Sequence, residues 1–103
     1  MTISEHEELQ PDETDLVGQW LNTGGRIQAT PVAARIEWLV SERLKRLGAD
    51  ASGWDVLYRD PRDGRLWELT YPMSEMQGGG PPRLTVISRN AAASKYRSAV
   101  GLW

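Results

Sequence analysis

The feature that most constrains the fold is a pair of alternating segments on either side of a strong turn signal. Residues 54–59 (WDVLYR) and residues 65–71 (RLWELTY) each alternate as a half-buried β-strand does. Between them, residues 60–64 (DPRDG) favour a tight turn, because proline presets φ and Asp-Gly tolerates the left-handed conformation. The stretch therefore predicts a β-hairpin. Its expected core-facing residues are Trp54, Val56, Trp67, Leu69 and Tyr71.

A single long helix is predicted upstream of this hairpin. Thr30 followed by Pro31 is a strong start signal, because a hydroxyl caps the helix and proline suits the first helical position. The helix is expected to run to about Leu47 and to end at Gly48. Its apolar stripe consists of Val32, Ile36, Leu39, Val40 and Leu47. Trp38 lies on the opposite side, where it is either covered by a neighbouring segment or exposed as an anchor for a partner.

The remaining segments predict further strands and a second helix. Residues 16–21 and 26–29 read as a first hairpin, with its turn at residues 22–25, and residues 83–88 read as another strand. Ser88 is expected to cap a short helix over residues 89–98. Together the segments predict an α+β fold, in which an antiparallel sheet of four to five strands carries the long helix on one face. The short C-terminal helix is expected on that same face or at one end of the sheet.

Charge is distributed unevenly along a chain that is long enough for one domain. Residues 1–15 hold six of the fourteen acidic residues and no Lys or Arg. This composition predicts a disordered acidic tail over residues 1–15, followed by a single folded domain over residues 16–103. The tail either keeps the protein in solution or steers a basic partner toward it.

Several function classes are excluded by what the sequence lacks. There is no Cys, and the one His, His6, lies in the acidic segment, so neither a metal site nor imidazole catalysis is expected. No cofactor is predicted. No apolar run approaches the length of about 18 residues that indicates a membrane span, and the N-terminus lacks the features of a signal peptide. We therefore expect a cytoplasmic protein without a membrane partner. Nucleic acid is not an expected partner either, because basic residues do not cluster among exposed aromatic ones.

One charged cluster invites a catalytic interpretation. Its acidic members are Asp60, Asp63, Glu68 and Glu75, and its basic members are Arg59, Arg62 and Arg65. Paired carboxylates support acid–base chemistry, but the same residues are common in turns and in cross-strand charge pairs. No nucleophile–base pair accompanies them, so no catalytic residue is assigned. The glycines at residues 78–80 precede two prolines and a strand rather than a helix, which argues against a phosphate loop.

Several segments, taken together, resemble a known family. These are LVGQW (16–20), RIEWLV (35–40), YRDP (58–61), DGRLWELTYP (63–72) and GGGPP (78–82). They are similar to the immunity protein 27 family of bacterial polymorphic toxin systems, over roughly residues 16–97. The resemblance implies a small cytoplasmic α+β protein that protects a bacterium by binding a cognate toxin. It implies an inhibitor rather than an enzyme.

On this basis, neutralisation of the toxin by direct binding and steric occlusion is expected. The predicted toxin-binding residues are Trp38, Tyr58, Arg59, Asp60, Asp63, Arg65, Glu68, Ser74, Glu75, Gly78, Gly79 and Gly80. If the toxin is a nuclease, the acidic members would mimic its polyanionic substrate. Two alternatives stay open: a small enzyme that uses the carboxylates and arginines, and an interaction module that self-associates through a sheet edge or Trp38. The protein is expected to be a monomer or a weak homodimer.

Overall fold

A computed structural model describes residues 7–23, 26–72 and 80–99 of the chain. Its strands are β1 (Asp15–Val17), β2 (Trp20–Thr23), β3 (Arg26–Ala29), β4 (Lys45–Ala49), β5 (Val56–Arg59), β6 (Leu66–Thr70) and β7 (Arg83–Val86). Five of them form an antiparallel sheet in the order β1-β7-β6-β5-β4, and β2 and β3 form a separate hairpin. With two helices, described below, this confirms the predicted α+β class and a five-stranded antiparallel sheet.

The central hairpin forms as the sequence predicts. Tyr58 lies opposite Trp67 in β5 and β6, and Val56 lies opposite Leu69. At the turn, Asp60 Oδ1 accepts a hydrogen bond from the backbone N–H of Arg62 at 2.9 Å. Gly64 takes a φ of +79°, a conformation that glycine adopts without strain. Local turn chemistry is therefore sufficient to place this hairpin.

The predicted long helix is wrong in its length. Helix α1 (Pro31–Trp38) begins at Pro31 as expected. Thr30 caps it, because Thr30 Oγ1 accepts a hydrogen bond from the N–H of Ala33 at 3.2 Å. A π-helical turn, Leu39–Arg43, follows it, and the chain becomes extended at Leu44. Residues expected in the last helical turns instead form β4, which pairs with β5 at the edge of the sheet. Helix propensity is a weak preference, and here the pairing and burial of an edge strand override it.

The core face of the shorter helix matches the predicted stripe in part. Ile36 and Leu39 are buried as predicted, and Ala33 is buried as well, whereas Val32, predicted to face the core, is 38% exposed. Val40 is partly buried against the core. Leu47 is buried as predicted, but it belongs to β4 and lies in a different cluster from Ile36 and Leu39.

Two apolar clusters lie on opposite faces of the sheet. The first packs α1 and the π-helical turn against Tyr58, Trp67, Leu69 and Leu84. The second packs Leu57 and Leu66, which point the other way, against helix α2 (Arg89–Lys95) and the 3₁₀ turn Arg97–Ala99. Ser88 caps α2 as predicted. However, α2 lies on the face opposite α1, which is neither of the expected positions, so the sheet is the middle of three layers.

The predicted first hairpin is divided between two sheets. Asp15–Val17 pairs with β7, and only Trp20–Thr23 pairs with β3. The break falls at Gly18, whose N–H donates to the carbonyl oxygen of Pro82 at 2.8 Å. A Cβ at position 18 would lie 2.6 Å from that oxygen, so the close approach requires glycine. Gly24 and Gly25 of the predicted turn lie outside the described residues.

Residues 7–14, here called the strap, pack against the domain. Leu9 is only 4% exposed and belongs to the first cluster. The N–H of Val86 donates to the carbonyl oxygen of Thr14 at 2.9 Å, just before β1 begins. The sequence predicts a disordered tail over residues 1–15, but residues 7–15 are instead part of the packed domain, because Leu9 supplies an apolar anchor. Residues 1–6 lie outside the described part.

Candidate functional site

The antiparallel connections place the loops at two opposite ends of the five-stranded sheet. The β5–β6 turn, residues 60–65, and the strap lie at one end, here called the strap end. The β4–β5 turn, residues 50–55, lies at the other end, here called the turn end. The last residues of β6 and the segment Gly80–Pro82 lie there too, because Val56 pairs with Leu69 and Thr70 pairs with Arg83.

Four arginines, here called the arginine clamp, hold the strap: Arg35, Arg43, Arg62 and Arg65. Arg35 forms two hydrogen bonds with the Glu13 carboxylate, at 2.7 and 2.8 Å, and others with the carbonyl oxygens of Glu7 and Glu8. Its hydrogen bond to Glu13 lowers the pKa of Glu13 below the ordinary value and raises the pKa of Arg35. The guanidinium of Arg35 and the carboxylate of Glu13 thus form a bidentate ion pair that connects α1 to the strap.

The other three arginines approach the strap from the π-helical turn and the β5–β6 turn. Arg65 donates to the carbonyl oxygens of Glu13 and Gln10, at 2.6 and 3.0 Å. Arg43 and Arg62 lie 3.3 and 3.1 Å from the two carboxylate oxygens of Glu8. The strap end therefore concentrates positive charge, and the protein's own acidic segment occupies it.

Three predicted site residues serve this end of the protein internally. Asp60 is only 4% exposed and caps the backbone of its own turn. The carboxylate of Asp63 accepts from the backbone N–H and the Nε of Arg65, at 2.9 and 2.7 Å. Burial opposes ionisation of Asp63, but these bonds outweigh it and lower its pKa. Each residue therefore already has a partner in its own chain.

Three further predicted residues do not form one continuous surface with the β5–β6 turn. Tyr58 is buried in the first cluster, and burial raises the pKa of its hydroxyl. Trp38 is half-buried against the same cluster, with the guanidinium of Arg43 5.1 Å from its ring centroid. Arg59 points to the opposite face, since it pairs with Leu66 of the second cluster.

Glu68 also lies on the α2 face, away from the other predicted carboxylates. Its Oε2 accepts a hydrogen bond from the hydroxyl of Tyr96 at 2.7 Å. Lys95 forms ion pairs with both Glu68 and Asp55. Burial opposes the charge of Lys95, but its hydrogen bonds to Asp55 and Glu68 outweigh burial and raise the pKa of Lys95. The pKa of the Tyr96 hydroxyl is also raised, mainly by burial and next by its hydrogen bond to Glu68. Glu68 thus stabilises the packing of α2 on the sheet.

The last predicted residues belong to the segment between β6 and β7. Ser74, Glu75, Gly78 and Gly79 lie outside the described residues. Gly80 is buried at the turn end and has a φ of +71°. Within the described ranges, no three His, Cys, Asp or Glu side chains form a group that could hold a metal ion.

Among the residues whose burial the structure describes, sequence reasoning missed an exposed aromatic side chain at the turn end. Trp54, predicted to face the core, is 63% exposed, so that prediction is wrong. It precedes β5 rather than belonging to it. The missed signal is residues 50–53 (DASG), because an Asp at the start of such a cluster organises a turn that extends beyond the glycine.

Several hydrogen bonds fix the turn that carries Trp54. Asp50 Oδ1 accepts from Ser52 Oγ at 2.7 Å, from the N–H of Gly53 at 3.1 Å and from the N–H of Asp55 at 3.3 Å. Its bond with Ser52 is the main cause of a lowered pKa for Asp50. The N–H of Trp54 donates to Ser52 Oγ at 3.1 Å, and Gly53 takes a φ of +80°. An exposed indole therefore sits on a backbone with little freedom.

An open cleft of about 460 Å³ adjoins this turn. Its lining residues are Ala49, Asp50, Ala51, Ser94, Lys95, Arg97 and Ser98. Lys95 is held by two carboxylates, whereas the side chain of Arg97 is exposed. The turn end thus carries an exposed tryptophan on its turn and an exposed arginine in the adjoining cleft, two residue types that protein interfaces favour.

The sequence also matches a protein family across most of these elements. The family model for immunity protein 27 matches residues 22–88, a range that runs from β2 through β7 and covers more than half of the chain. No curated protein and no solved structure matches the chain. In the described part of the protein, no helix is long and apolar enough to cross a membrane. The chain belongs to the immunity protein 27 family.

Proposed function

We propose that this protein neutralises a cognate bacterial toxin by binding it directly and blocking its working surface. Membership of the immunity protein 27 family is the observation that carries this proposal, since it supports a role in immunity and implies a toxin partner. The protein acts in the cytoplasm of the producing bacterium, as a stoichiometric inhibitor and not as an enzyme.

The arrangement of the charged residues supports binding over catalysis. Asp60 and Asp63 stabilise the β5–β6 turn, and Glu68 lies on the α2 face with Tyr96 and Lys95. General acid–base catalysis requires such groups to converge on one reacting centre. These three carboxylates do not converge, so the small-enzyme alternative has less support than inhibition.

We place the toxin-binding surface at the turn end, with Trp54 as its anchor. Tryptophan is enriched among the few interface residues that contribute most of the binding energy. The hydrogen-bonded turn reduces the conformational entropy that Trp54 would lose on binding. The exposed Arg97 supplies a charged contact nearby. The described flanks of the segment that holds the predicted residues Ser74, Glu75, Gly78 and Gly79 lie at the turn end.

The edges of the sheet favour a toxin partner over self-association. The strand β1 has three residues, and β4 carries Lys45 and Arg46 and contains a register shift. Short, charged or irregular edge strands resist pairing with a second copy. We therefore propose that the free protein is a monomer.

Co-expression with the toxin encoded beside this gene tests the proposed function. We expect cells to survive toxin expression only when this protein is present, and we expect the two proteins to purify together in equal amounts. Wild-type protein expressed without the toxin is the control for non-specific retention. Survival without a complex, accompanied by a chemically altered toxin, would instead establish the enzyme alternative.

A further inference from the structure

We infer that the arginine clamp is a binding site for an acidic peptide segment of a second protein, and that the strap is its displaceable resident ligand. The inference does not depend on toxin binding at the turn end. It concerns the opposite end of the sheet and the residues that hold the strap there.

The first observation is that the clamp recognises the strap largely through its backbone. Its guanidinium groups come from α1, the π-helical turn and the β5–β6 turn, and they converge on one segment. They bond the main-chain carbonyl oxygens of Glu7, Glu8, Leu9, Gln10 and Glu13. Because every peptide carries such carbonyls, these contacts do not require the strap's own sequence. Guanidinium groups suit this role, since each offers several N–H donors in a fixed geometry.

The second observation is that a few side-chain contacts define which peptide fits. Leu9 fills an apolar socket in the first cluster, where it contributes to the core at 4% exposure. The preceding residue, Glu8, meets Arg43 and Arg62, and Glu13 meets Arg35. The site therefore fits a segment in which an acidic residue comes directly before an apolar residue. A second acidic residue follows four positions after the apolar one.

The third observation is that most of the strap, residues 7–13, lies outside the pairing of β1 with β7, so these residues can leave while that pairing stays. Strand β1 has its own pairing with β7, and the Asp15 carboxylate binds the guanidinium of Arg83 through two hydrogen bonds of 2.9 Å. The ion pairs of Glu8 are partly exposed, with 51% and 53% exposure for the side chains of Arg43 and Arg62. Such exposed pairs contribute little and are screened by salt. Local opening of the strap is therefore easier than unfolding of the domain.

Tethering explains why the strap is the resident ligand. A segment joined to its site by a short connection has an effective concentration of roughly millimolar, so a weakly binding strap still occupies the clamp. An external acidic segment binds when it is present at comparable concentration or when the strap is weakened. Weakening the strap by mutation is therefore the direct way to expose the site.

A labelled peptide of residues 7–14 and a full-length Glu8→Lys, Glu13→Lys variant test the inference. The clamp repels the altered strap, so the variant is expected to bind the peptide at least tenfold more tightly than the wild-type protein in fluorescence polarisation. Adding Arg35→Gln to the variant should abolish this gain, and replacing Leu9 by Ala in the peptide should weaken its binding. Circular dichroism checks that each protein is folded.

Two results would overturn the inference. The first is a folded double variant that binds the peptide no better than the wild-type protein. The second is equal binding of a short oligonucleotide of the same charge, which would make the clamp a general anion patch. If the variant does not fold, amide hydrogen exchange of the wild-type protein shows whether the strap opens separately from the sheet. The amides of Gln10 and Glu13 should then exchange faster than those of β6, and equal protection would show a permanently fixed strap.

Discussion

The two ends of the sheet differ in what their side chains are bound to. At the strap end, the polar residues Asp63, Arg65 and Arg35 are already bonded within the chain. At the turn end, Trp54 is apolar and exposed on a turn that satisfies its own backbone. A dense charge cluster can therefore have a structural role. We propose that the exposed aromatic residue on a fixed backbone marks the binding surface.

The difference follows from how the two kinds of residue are satisfied. A charged side chain finds compensation wherever an opposite charge or a carbonyl lies within reach, and the strap provides both. An exposed indole gains from losing water only when another apolar surface covers it. We therefore expect the residues of the strap end to contribute mainly to the stability of the fold and to peptide binding by the arginine clamp. We expect those of the turn end to contribute mainly to toxin binding.

The largest expected effect on stability is at the strap end. Leu9→Ala should lower the free energy of unfolding by about 2 kcal/mol, because it removes a buried side chain from the first cluster. Trp54→Ala, the matched change at the turn end, should alter it by less than about 0.5 kcal/mol. Urea denaturation of the two variants measures both values. Equal losses of unfolding free energy in the two variants would contradict this difference between the two ends.

A smaller effect is expected when Arg35 is changed to Gln. The substitution removes a charged donor from Glu13 and from two carbonyl oxygens, so the free energy of unfolding should fall by about 1.5 kcal/mol. The control is Arg97→Gln, an exposed arginine at the turn end, which should change stability by less than about 0.5 kcal/mol. If both variants lose the same stability, the clamp has no special structural role.

The stabilisation from Arg35 should also depend on pH. Arg35 depresses the pKa of Glu13 in the folded protein, so its stabilisation is fully present above the ordinary pKa of 4.5. It is lost as the pH falls through the depressed value. The difference in unfolding free energy between wild type and Arg35→Gln should therefore shrink as the pH is lowered from about 6 to about 2.5. Other carboxylates titrate in both proteins and cancel, and a constant difference would contradict this assignment.

The smallest effect is expected when either of two glycines with nearly the same backbone conformation is replaced. Gly53 and Gly64 have φ values of +80° and +79°, and a Cβ at either position would meet no atom within 4 Å. Alanine at each position should cost roughly 1 kcal/mol of stability, through backbone strain alone. Only Gly53→Ala should also weaken toxin binding, because it distorts the turn that presents Trp54. Isothermal titration with the toxin separates the two variants.

The sequence was sufficient for elements whose determinants are local. The β5–β6 hairpin follows from alternation and from a turn in which Asp60 and Gly64 fulfil known conformational roles. The helix starts are marked by Thr30 and Ser88, which accept hydrogen bonds from residues three positions later. In each case, the interaction that decides the structure lies within a few residues.

It was not sufficient where distant contacts decide. Residues 39–47 read as helix, but Leu44 and Leu47 bury in different clusters, and β4 pairs with β5. The strap reads as a disordered tail, although its bonds to Arg35 and Arg65 span 22 and 52 positions in the chain. For the candidate site, residue type alone does not distinguish the buried Trp67 from the exposed Trp54.

The affinity of the toxin for two variants decides whether the toxin binds at the turn end. Calorimetry with a catalytically inactive toxin should show that Trp54→Ala raises the Kd at least about 30-fold, equivalent to about 2 kcal/mol, as expected for an anchor residue. Asp63→Ala, at the strap end, should change the Kd by less than about threefold. A large loss of affinity for Asp63→Ala, together with unchanged binding by Trp54→Ala, would instead place the toxin at the strap end.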